Sequence, residues 1–339
     1  MRHSLWAGVD IGGTKTAVVL SSAPPDLLIR TEFATEPQHG PKQTICKIEA
    51  ALHEMLLAQG ATVDALGAIG ISCGGPLDRI TGIVQSPPNL PTWIEVPVVD
   101  MLSREFGCPV SLENDANAGA VAEHRFGAGK GFHNVVFLTL GTGLGSGIII
   151  DDLLYCGANG MAGEIGHVRL TPNGPVGYNK AGSAEGWASG AGMAQIAQRV
   201  LNAAERNGRK KTLLNDLKNQ RVTAKDVGLA ALAGDAVARS IVRTSGRKLG
   251  EALAILVDIL NPDCIVIGGM AMRLGELILA PARLSMQKEA LKPAAAVCHV
   301  VPAQLGEKIG DVAALCVAMD AGSKLGPLQN RGKLKNESL

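Results

Sequence analysis

The stretch SLENDANAGA, residues 111–120, places Glu113, Asn114, Asp115 and Asn117 within five positions, and small residues follow at once. The run before it, CPVSL, is apolar and predicts a short buried strand. A carboxylate at the end of such a strand is suited to accept a proton from a substrate hydroxyl. The alternative is a structural role for Asp115, because aspartate is also a preferred N-cap of a helix.

A second set of residues that could bind a ligand lies near the start of the chain, in the hexapeptide DIGGTK. The Gly12-Gly13 turn lets backbone N–H groups converge on an anion such as a phosphate. Thr14 adds a hydroxyl donor and Lys15 a cation. Asp10 ends the preceding apolar run, where a carboxylate could hold a hydrated Mg²⁺ next to phosphates. A plain hairpin turn would explain DIGGTK if it stood alone.

The segment LGTGLGSG, residues 140–147, repeats this chemistry with Gly141, Thr142 and Gly143. It is not a dinucleotide fingerprint, because Ser146 occupies the last glycine position of G-x-G-x-x-G. GAGKG at 127–131 does not supply a P-loop either. The two turns therefore favour phosphate binding outside the Rossmann and P-loop classes.

The elements that must position these residues alternate between strand and helix. LWAGVDIGGTKTAVVL predicts strand, turn and strand, and QTICKIEAALHEMLLAQG predicts a helix that ends near Gly60. NVVFLTLGTGLGSGIII repeats the strand-turn-strand pattern in the second half, and a later helix leads into the strand of NPDCIVIGG. This alternation predicts an α/β protein of two lobes with a cleft between them.

Composition narrows the class of protein. The chain has 339 residues, of which 46% are hydrophobic and 19% charged, with a formal net charge of +1. That is enough apolar material for a full core. The sequence has no basic cluster interleaved with aromatics, no signal-peptide pattern at its start and no apolar run of the roughly 18 residues that a membrane span needs. Seven scattered cysteines without C-x-x-C spacing predict reduced thiols. We therefore expect a cytoplasmic protein that binds neither nucleic acid nor membrane.

Six blocks together resemble a known family. DIGGTK, PPNLPTW, LENDANAGA, LGTGLGSG, MAGEIGH and NPDCIVIGG occur in the order seen in ROK-family sugar kinases, within the actin-like ATPase superfamily. The resemblance runs from about residue 6 to residue 320. It implies a two-lobed, ribonuclease H-like fold that transfers the γ-phosphoryl group of ATP to a sugar hydroxyl, with Mg²⁺ as cofactor and a homodimer as the common assembly.

The same resemblance implies domain boundaries. A small N-terminal lobe would span residues 1–120 and regain a returning helix at about 311–325. A larger lobe would span 121–310, and residues 328–339 would form a frayed tail.

Residue roles carry over by position. The resemblance implies that Asp115 is the general base. The sugar ligands that it implies are Gly75, Asn89, Asn114, Glu164, His167 and Glu185. The implied ATP and phosphate ligands are Asp10, Gly12, Gly13, Thr14 and Lys15 of the first turn, Gly141, Thr142 and Gly143 of the second, and Gly268 and Gly269 of an adenosine-side turn. Asp10 is the implied Mg²⁺ residue, through water.

The sequence departs from the family in one place. Many members carry a zinc site formed by a histidine and three cysteines, and the matching stretch here is VGYNKAGSAE. Val176, Tyr178 and Ser183 stand where the cysteines would be, so the soft thiolate ligands are absent. We therefore predict no structural zinc, with His167 oriented by packing. Glu185 still matches the glutamate that follows the cysteines in the family pattern.

Several substrates fit the shared motifs. Glucose is the expected one, with N-acetylmannosamine, N-acetylglucosamine, fructose and allose as alternatives, because the motifs do not identify the substituent at carbon 2 or the epimer. A different class is also open, since the family contains sugar-responsive repressors. Those carry a helix-turn-helix domain before the first phosphate turn, and only nine residues precede Asp10 here. We therefore expect an enzyme.

Overall fold

The computed structural model describes residues 5–206, 212–214 and 221–323. The chain divides into a first unit, residues 1–122 with 307–339, and a second unit, residues 123–306. The tail predicted at 328–339 lies outside the described residues.

The first unit is built on a five-stranded mixed sheet. Its strands are β1 (Leu5–Ile11), β2 (Lys15–Ser21), β3 (Ile29–Ala34), β4 (Leu66–Cys73) and β7 (Val110–Asn114), and a small hairpin is formed by β5 (Leu77–Asp78) and β6 (Ile83–Val84). The sheet order is β3-β2-β1-β4-β7. β1, β2 and β3 pair antiparallel, whereas β4 and β7 run parallel to β1. The predicted strand-turn-strand at the start of the chain is therefore confirmed.

Helices complete the first unit. They are α1 (Pro41–Ala58), α2 (Val98–Phe106), the first part of α3 (Asp115–Phe126), and α11 (Ile309–Gly322), which returns from the end of the chain. Two glycines let α11 lie directly on the sheet, because a Cβ at Gly70 would lie 2.1 Å from the Ala314 carbonyl oxygen and one at Gly8 would lie 3.0 Å from the Ala314 Cβ. Apolar side chains of α1 and of the sheet, such as Ile48 and Ile71, are fully buried.

The second unit repeats this plan. Its sheet contains β8 (Val135–Leu140), β9 (Leu144–Ile150), β10 (Leu153–Tyr155), β13 (Cys264–Ile267) and β14 (His299–Pro302), and a second small hairpin pairs β11 (Val176–Gly177) with β12 (Lys180–Ala181). The order is β10-β9-β8-β13-β14. Again the first three strands pair antiparallel and the next two join in parallel. The repeat that the sequence suggests is thus a repeat of sheet topology.

The helices of the second unit enclose this sheet. They are α4 (Ala184–Ala188), α5 (Gly190–Arg206), α6 (Ala224–Leu232), α7 (Ala236–Leu260), α8 (Met270–Leu274), α9 (Glu276–Glu289) and α10 (Lys292–Val297). α7 and α9 pack closely, since a Cβ at Gly250 would lie 2.3 Å from the Ala282 carbonyl oxygen. The two mixed sheets and their helices confirm the α/β class. Among the described residues, no helix has the length and apolarity that crossing a bilayer requires.

Candidate active site

The first glycine turn joins β1 to β2 and packs against the loop that carries Asn89. Gly12 N–H donates to the Lys15 carbonyl oxygen at 3.0 Å, which closes the turn. A Cβ at Gly13 would lie 2.7 Å from both the Cβ and the carbonyl oxygen of Asn89, so the contact requires glycine. The Lys15 ammonium donates to Glu32 Oε2 at 2.9 Å, and its charge is therefore paired in this structure.

Asp10 lies beside this turn, and its surroundings disfavour a negative charge. Its Oδ2 approaches Gly310, the second residue of α11, so closely that a Cβ there would lie 2.1 Å away. Burial, together with the charges of Asp115 and Asp311, raises the pKa of Asp10 to about 6, against a hydrogen bond with Ser72 that lowers it. A cation placed here would stabilise the ionised carboxylate.

The junction between β7 and α3 carries Asn114 and Asp115. Asn114 Oδ1 accepts hydrogen bonds from the N–H groups of Ala116 at 2.9 Å and Asn117 at 3.4 Å, so Asn114 caps the helix. Asp115 is the first residue of α3, and its Oδ1 accepts a hydrogen bond from Ala116 N–H at 2.9 Å. Its side chain reaches solvent, yet desolvation by the surrounding protein raises the pKa of Asp115. The helix-capping role that was the alternative for Asp115 is therefore filled by Asn114.

Polar groups converge where β4 ends. A Cβ at Gly74 would lie 3.7 Å from both amide atoms of Asn89 and 3.9 Å from Asp115 Oδ2. A Cβ at Gly75 would lie 3.3 Å from Asn114 Nδ2. The structure therefore brings four of the predicted residues together in the first unit, over a backbone stretch without side chains. Gly74 also lies at this site but is not among the residues that the sequence predicts, although it directly precedes Gly75.

The second glycine turn, Gly141-Thr142-Gly143, joins β8 to β9. Its carbonyl groups face the start of α5, because Gly190 N–H donates to Gly141 O at 2.8 Å and Ala191 N–H to Thr142 O at 3.2 Å. Gly141 N–H is used within the turn, where it donates to Gly143 O at 3.1 Å. The Thr142 side chain is exposed and accessible to a ligand.

Glu185 lies directly against this turn. Its Oε2 accepts a hydrogen bond from Leu144 N–H at 3.1 Å, and a Cβ at Gly143 would lie 2.7 Å from the same oxygen. A residue that the family resemblance assigns to sugar thus contacts a turn that it assigns to phosphate.

Glu164 is the N-cap and His167 the last residue of a single 3₁₀ turn, Ile165–His167. His167 Nε2 and Glu164 Oε2 are 3.9 Å apart, so the two side chains lie on the same side of the turn. A Cβ at Gly166 would lie 2.4 Å from the Leu144 carbonyl oxygen and 3.5 Å from the Glu185 Cβ. The turn is therefore seated on β9 next to Glu185.

The hairpin of β11 and β12 occupies the stretch that the family resemblance aligns with zinc-binding cysteines. The Tyr178 ring meets the His167 ring edge-on at a centroid distance of 4.8 Å, and Lys180 Nζ donates to the His167 carbonyl oxygen at 2.8 Å. Ser183 is buried and caps α4, with its Oγ accepting from Gly186 N–H at 3.1 Å. No cluster of three or more His, Cys, Asp or Glu side chains in the described part of the chain is arranged to hold a metal. The absence of zinc stays a prediction.

Gly268 and Gly269 follow β13 and precede α8. Gly268 N–H donates to the Leu138 carbonyl oxygen at 2.8 Å. Gly269 has a φ of +66°, and a Cβ there would lie 2.3 Å from the Leu140 carbonyl oxygen. This third glycine turn therefore packs on the end of β8, directly before Gly141.

Solved structures with the same fold identify its class. A ROK-family glucokinase from Streptomyces griseus, determined with glucose and AMPPNP, aligns with a TM-score of 0.76 and 36% identity over 93% of this chain and 99% of that chain. The two repeated sheets are therefore those of the actin-like ATPase fold, as predicted.

Sequence comparison then gives the family. The ROK family model matches residues 6–321, so this chain belongs to the ROK family, and the prediction is confirmed. A glucokinase of Halalkalibacterium halodurans is 35% identical over 91% of this chain and 93% of its own length. An N-acetylmannosamine kinase of Escherichia coli is 32% identical over 83% of this chain and 89% of its own length.

Proposed function

We propose that this protein transfers the γ-phosphoryl group of ATP to a hydroxyl of glucose, giving glucose 6-phosphate and ADP. The similarity to glucokinases over most of the chain supports an ATP-dependent hexose kinase. Within the chain, the proposal depends on the accessible Asp115 carboxylate. Asp115, Asn89 and Asn114 all lie next to the Gly74-Gly75 backbone.

The polar set of the first unit suits a sugar. A sugar hydroxyl is both donor and acceptor. The Asn89 amide offers both functions, and Asn114 offers its Nδ2 as a donor because its Oδ1 caps α3. A site built from such groups rejects an analogue that lacks a hydroxyl, because the amide would be left unpaired. We assign the binding of further hydroxyls to Glu164, His167 and Glu185, as the family resemblance implies.

Asp115 has the properties of the general base. As the sugar oxygen forms its bond to the γ-phosphorus and the bond to ADP breaks, the hydroxyl proton passes to the Asp115 carboxylate. The raised pKa of Asp115 makes it a better proton acceptor than an ordinary aspartate. Asn114 takes the helix-capping bonds, so Asp115 needs only one of its oxygens for Ala116.

Phosphate binding is assigned to the two glycine turns, with Thr14 and Thr142 as hydroxyl donors. Asp10 is the residue that would hold Mg²⁺, which supplies charge neutralisation on the phosphates when it accompanies ATP. Burial and the charges of Asp115 and Asp311 raise the pKa of Asp10, so a cation bound here would favour its ionised form. A single carboxylate also fits Mg²⁺, which usually keeps several waters and binds one or two carboxylates together with substrate phosphates.

A coupled assay of ADP release tests the proposal. MgATP would be supplied with glucose, mannose, fructose, allose, N-acetylglucosamine and N-acetylmannosamine in turn. We expect glucose to give the highest kcat/KM. No turnover with any sugar, together with measurable sugar binding, would instead favour a sugar sensor.

N-acetylmannosamine is the second candidate substrate, because a relative of 32% identity is an N-acetylmannosamine kinase. The same panel of sugars decides between glucose and N-acetylmannosamine. A site for N-acetylmannosamine must accommodate the acetamido group at carbon 2, whereas a site for glucose need not.

Assembly and location complete the proposal. On the family resemblance we propose a homodimer in the cytoplasm. Light scattering after size-exclusion chromatography would test the dimer, with a monomer mass near 35.1 kDa as the contrary result.

A further inference from the structure

Glu113 precedes the two candidate active residues of the β7–α3 junction and has no role in the chemistry above. Its side chain is buried, with 5% of the residue exposed. Three donors contact its carboxylate. Oε1 accepts from Asn114 N–H at 3.0 Å and from Asn117 Nδ2 at 2.9 Å, and Oε2 accepts from Arg79 Nε at 2.7 Å.

Arg79 comes from a different loop. It lies in the turn between β5 and β6, the hairpin that follows Gly74 and Gly75, and its side chain is only 14% exposed. Asp78 sets this turn, because its Oδ1 accepts from the N–H groups of Ile80 at 2.8 Å and Thr81 at 3.2 Å. The ion pair therefore ties the segment after the two glycines to the junction that carries Asn114 and Asp115.

The network is not what stability alone would select. A buried ion pair is weak support for a fold, because desolvation of both charges offsets their attraction. The Glu113 carboxylate also fixes the orientation of the Asn117 amide. Its Oδ1 is buried without a hydrogen-bond partner in the structure, while its Nδ2 is held by Glu113. Orphaned buried acceptors are rare and costly.

We propose that Arg79 and Glu113 are positioning residues for sugar recognition. Their ion pair holds the Gly74-Gly75 side of the sugar site at a fixed distance from Asn114 and Asp115. The inference rests on the proposed function and adds to it a pair that touches neither sugar nor ATP. Arg79 acts through the hairpin, and Glu113 acts through the Asn114 backbone.

The first variant is Arg79→Met, which keeps an unbranched, flexible side chain and removes the charged guanidinium. We expect kcat/KM for glucose to fall on the order of 10- to 100-fold, because small misplacements of reacting groups have effects of this size. KM for ATP should stay within about 2-fold, since the phosphate turns are not part of the network. The kcat/KM of Arg79→Lys for glucose should fall between those of the wild type and Arg79→Met, because lysine keeps the charge and loses the directed Nε bond.

Arg104→Met is the matched control. Arg104 also pairs with a carboxylate in the first unit, Asp100 at 2.8 Å, but its side chain is 79% exposed and belongs to α2. Kinetic constants within about 2-fold of the wild type are expected, as surface ion pairs contribute little.

The double variant Arg79→Met with Glu113→Gln separates positioning from stability. The glutamine can still accept from Asn114 and Asn117, and no unpaired charge remains buried. If the pair positions the site, thermal stability recovers in the double variant while kcat/KM for glucose stays low. Recovery of both quantities to wild-type values would overturn the inference.

Glucose binding, measured by calorimetry without ATP, keeps the test independent of turnover. Weaker glucose binding in Arg79→Met, but not in Arg104→Met, supports the positioning role even if the wild type proves to be a sensor. If glucose binds the wild type and Arg79→Met equally, the positioning role is lost. If the wild type neither binds nor phosphorylates glucose, the proposed function fails, and the sugar that the panel identifies replaces glucose in the same comparison.

Discussion

At the scale of single residues, Asp115 combines two properties that a solvated loop carboxylate would not have. It is accessible to a ligand, and its pKa is raised by desolvation. The neighbouring Asn114 performs the helix capping that the sequence allowed for Asp115. The division of labour between these adjacent residues leaves the carboxylate available for proton transfer.

Asp115→Asn tests this assignment. The asparagine keeps an oxygen for Ala116 N–H, so glucose affinity by calorimetry should stay within a few-fold, whereas kcat should fall by at least ~100-fold because the proton acceptor is lost. Asp100→Asn, which changes an exposed carboxylate of α2, serves as the control. Near-normal turnover of Asp115→Asn would remove Asp115 from the role of base.

Asp10 gives a prediction about stability and pH. Its pKa is about 6 in the folded protein against an ordinary 3.8, so its contribution to stability is fully present below pH 3.8 and is lost as the pH rises through about 6. Asp10→Asn removes this loss. Without Mg²⁺, the melting temperature of the variant should therefore exceed that of the wild type at pH 8, and the difference should shrink toward pH 4. A difference that does not change with pH would contradict the assignment, and Asp100→Asn again provides the control.

At the scale of elements, each unit opens with an antiparallel hairpin whose turn is rich in glycine, but the two turns tolerate side chains differently. A Cβ at Gly13 would collide with the Asn89 backbone, whereas a Cβ at Gly141 meets no atom within 4 Å and the residue has no left-handed φ. The first turn is a packing contact as well as a candidate phosphate site.

We therefore expect Gly13→Ala to destabilise the protein by about 1–3 kcal/mol, in the range of overpacking substitutions. Gly141→Ala should leave the free energy of unfolding nearly unchanged. Denaturant titration of both variants measures the contrast. Equal stabilities would show that the contact between the first turn and Asn89 is loose.

The hairpin of β11 and β12 lies in the stretch where the family resemblance would place zinc-binding cysteines. Tyr178 and Asn179 form its two-residue turn with φ of +43° and +61°, and the Tyr178 ring lies against His167. An aromatic contact of this kind is suited to orient the imidazole. The hairpin thus has a positioning role open to it that does not depend on a metal.

Tyr178→Ala should raise KM for glucose roughly 3- to 10-fold, as expected for the loss of one aromatic pair. Tyr178→Phe should behave like the wild type, because the ring is retained. The matched control is Tyr155→Ala, since Tyr155 is similarly exposed and lies on β10. An unchanged KM in Tyr178→Ala would mean that His167 is held by other contacts or does not bind the sugar.

At the scale of the whole molecule, we predict that the protein contains no structural zinc. Elemental analysis of protein purified without chelator should find no stoichiometric zinc, because Val176, Tyr178 and Ser183 offer no thiolates. Activity should also survive treatment with a strong zinc chelator once Mg²⁺ is restored. One zinc per chain would show that ligands other than these three positions form a metal site.

Much of the fold was predictable, because the informative signals are local. The glycine turns between apolar runs, the helix ending near Gly60 and the strand before Asn114 all appear where the sequence places them. The order of the six family blocks added the actin-like class. The position of Asp115 at a strand end likewise follows from the apolar run that precedes it.

Other features depend on partners far away in sequence. Glu123 is fully buried, and its carboxylate accepts from the N–H groups of Gln304 and Leu305, about 180 residues further on. Lys15 pairs with Glu32 on β3, which its own hexapeptide does not indicate. No periodicity announces such pairs, because each member reads as an ordinary charged residue until the chain has folded.

The sequence by itself determined which backbone turns exist and which residues at them can do chemistry, since turn geometry and residue type are local properties. Only the tertiary structure decided that Asn114 and not Asp115 caps α3, that Glu185 contacts the second glycine turn, and that Arg79 pairs with Glu113. The last two outcomes depend on burial and on distances between segments, and a buried charge finds its partner only where the packed chain provides one.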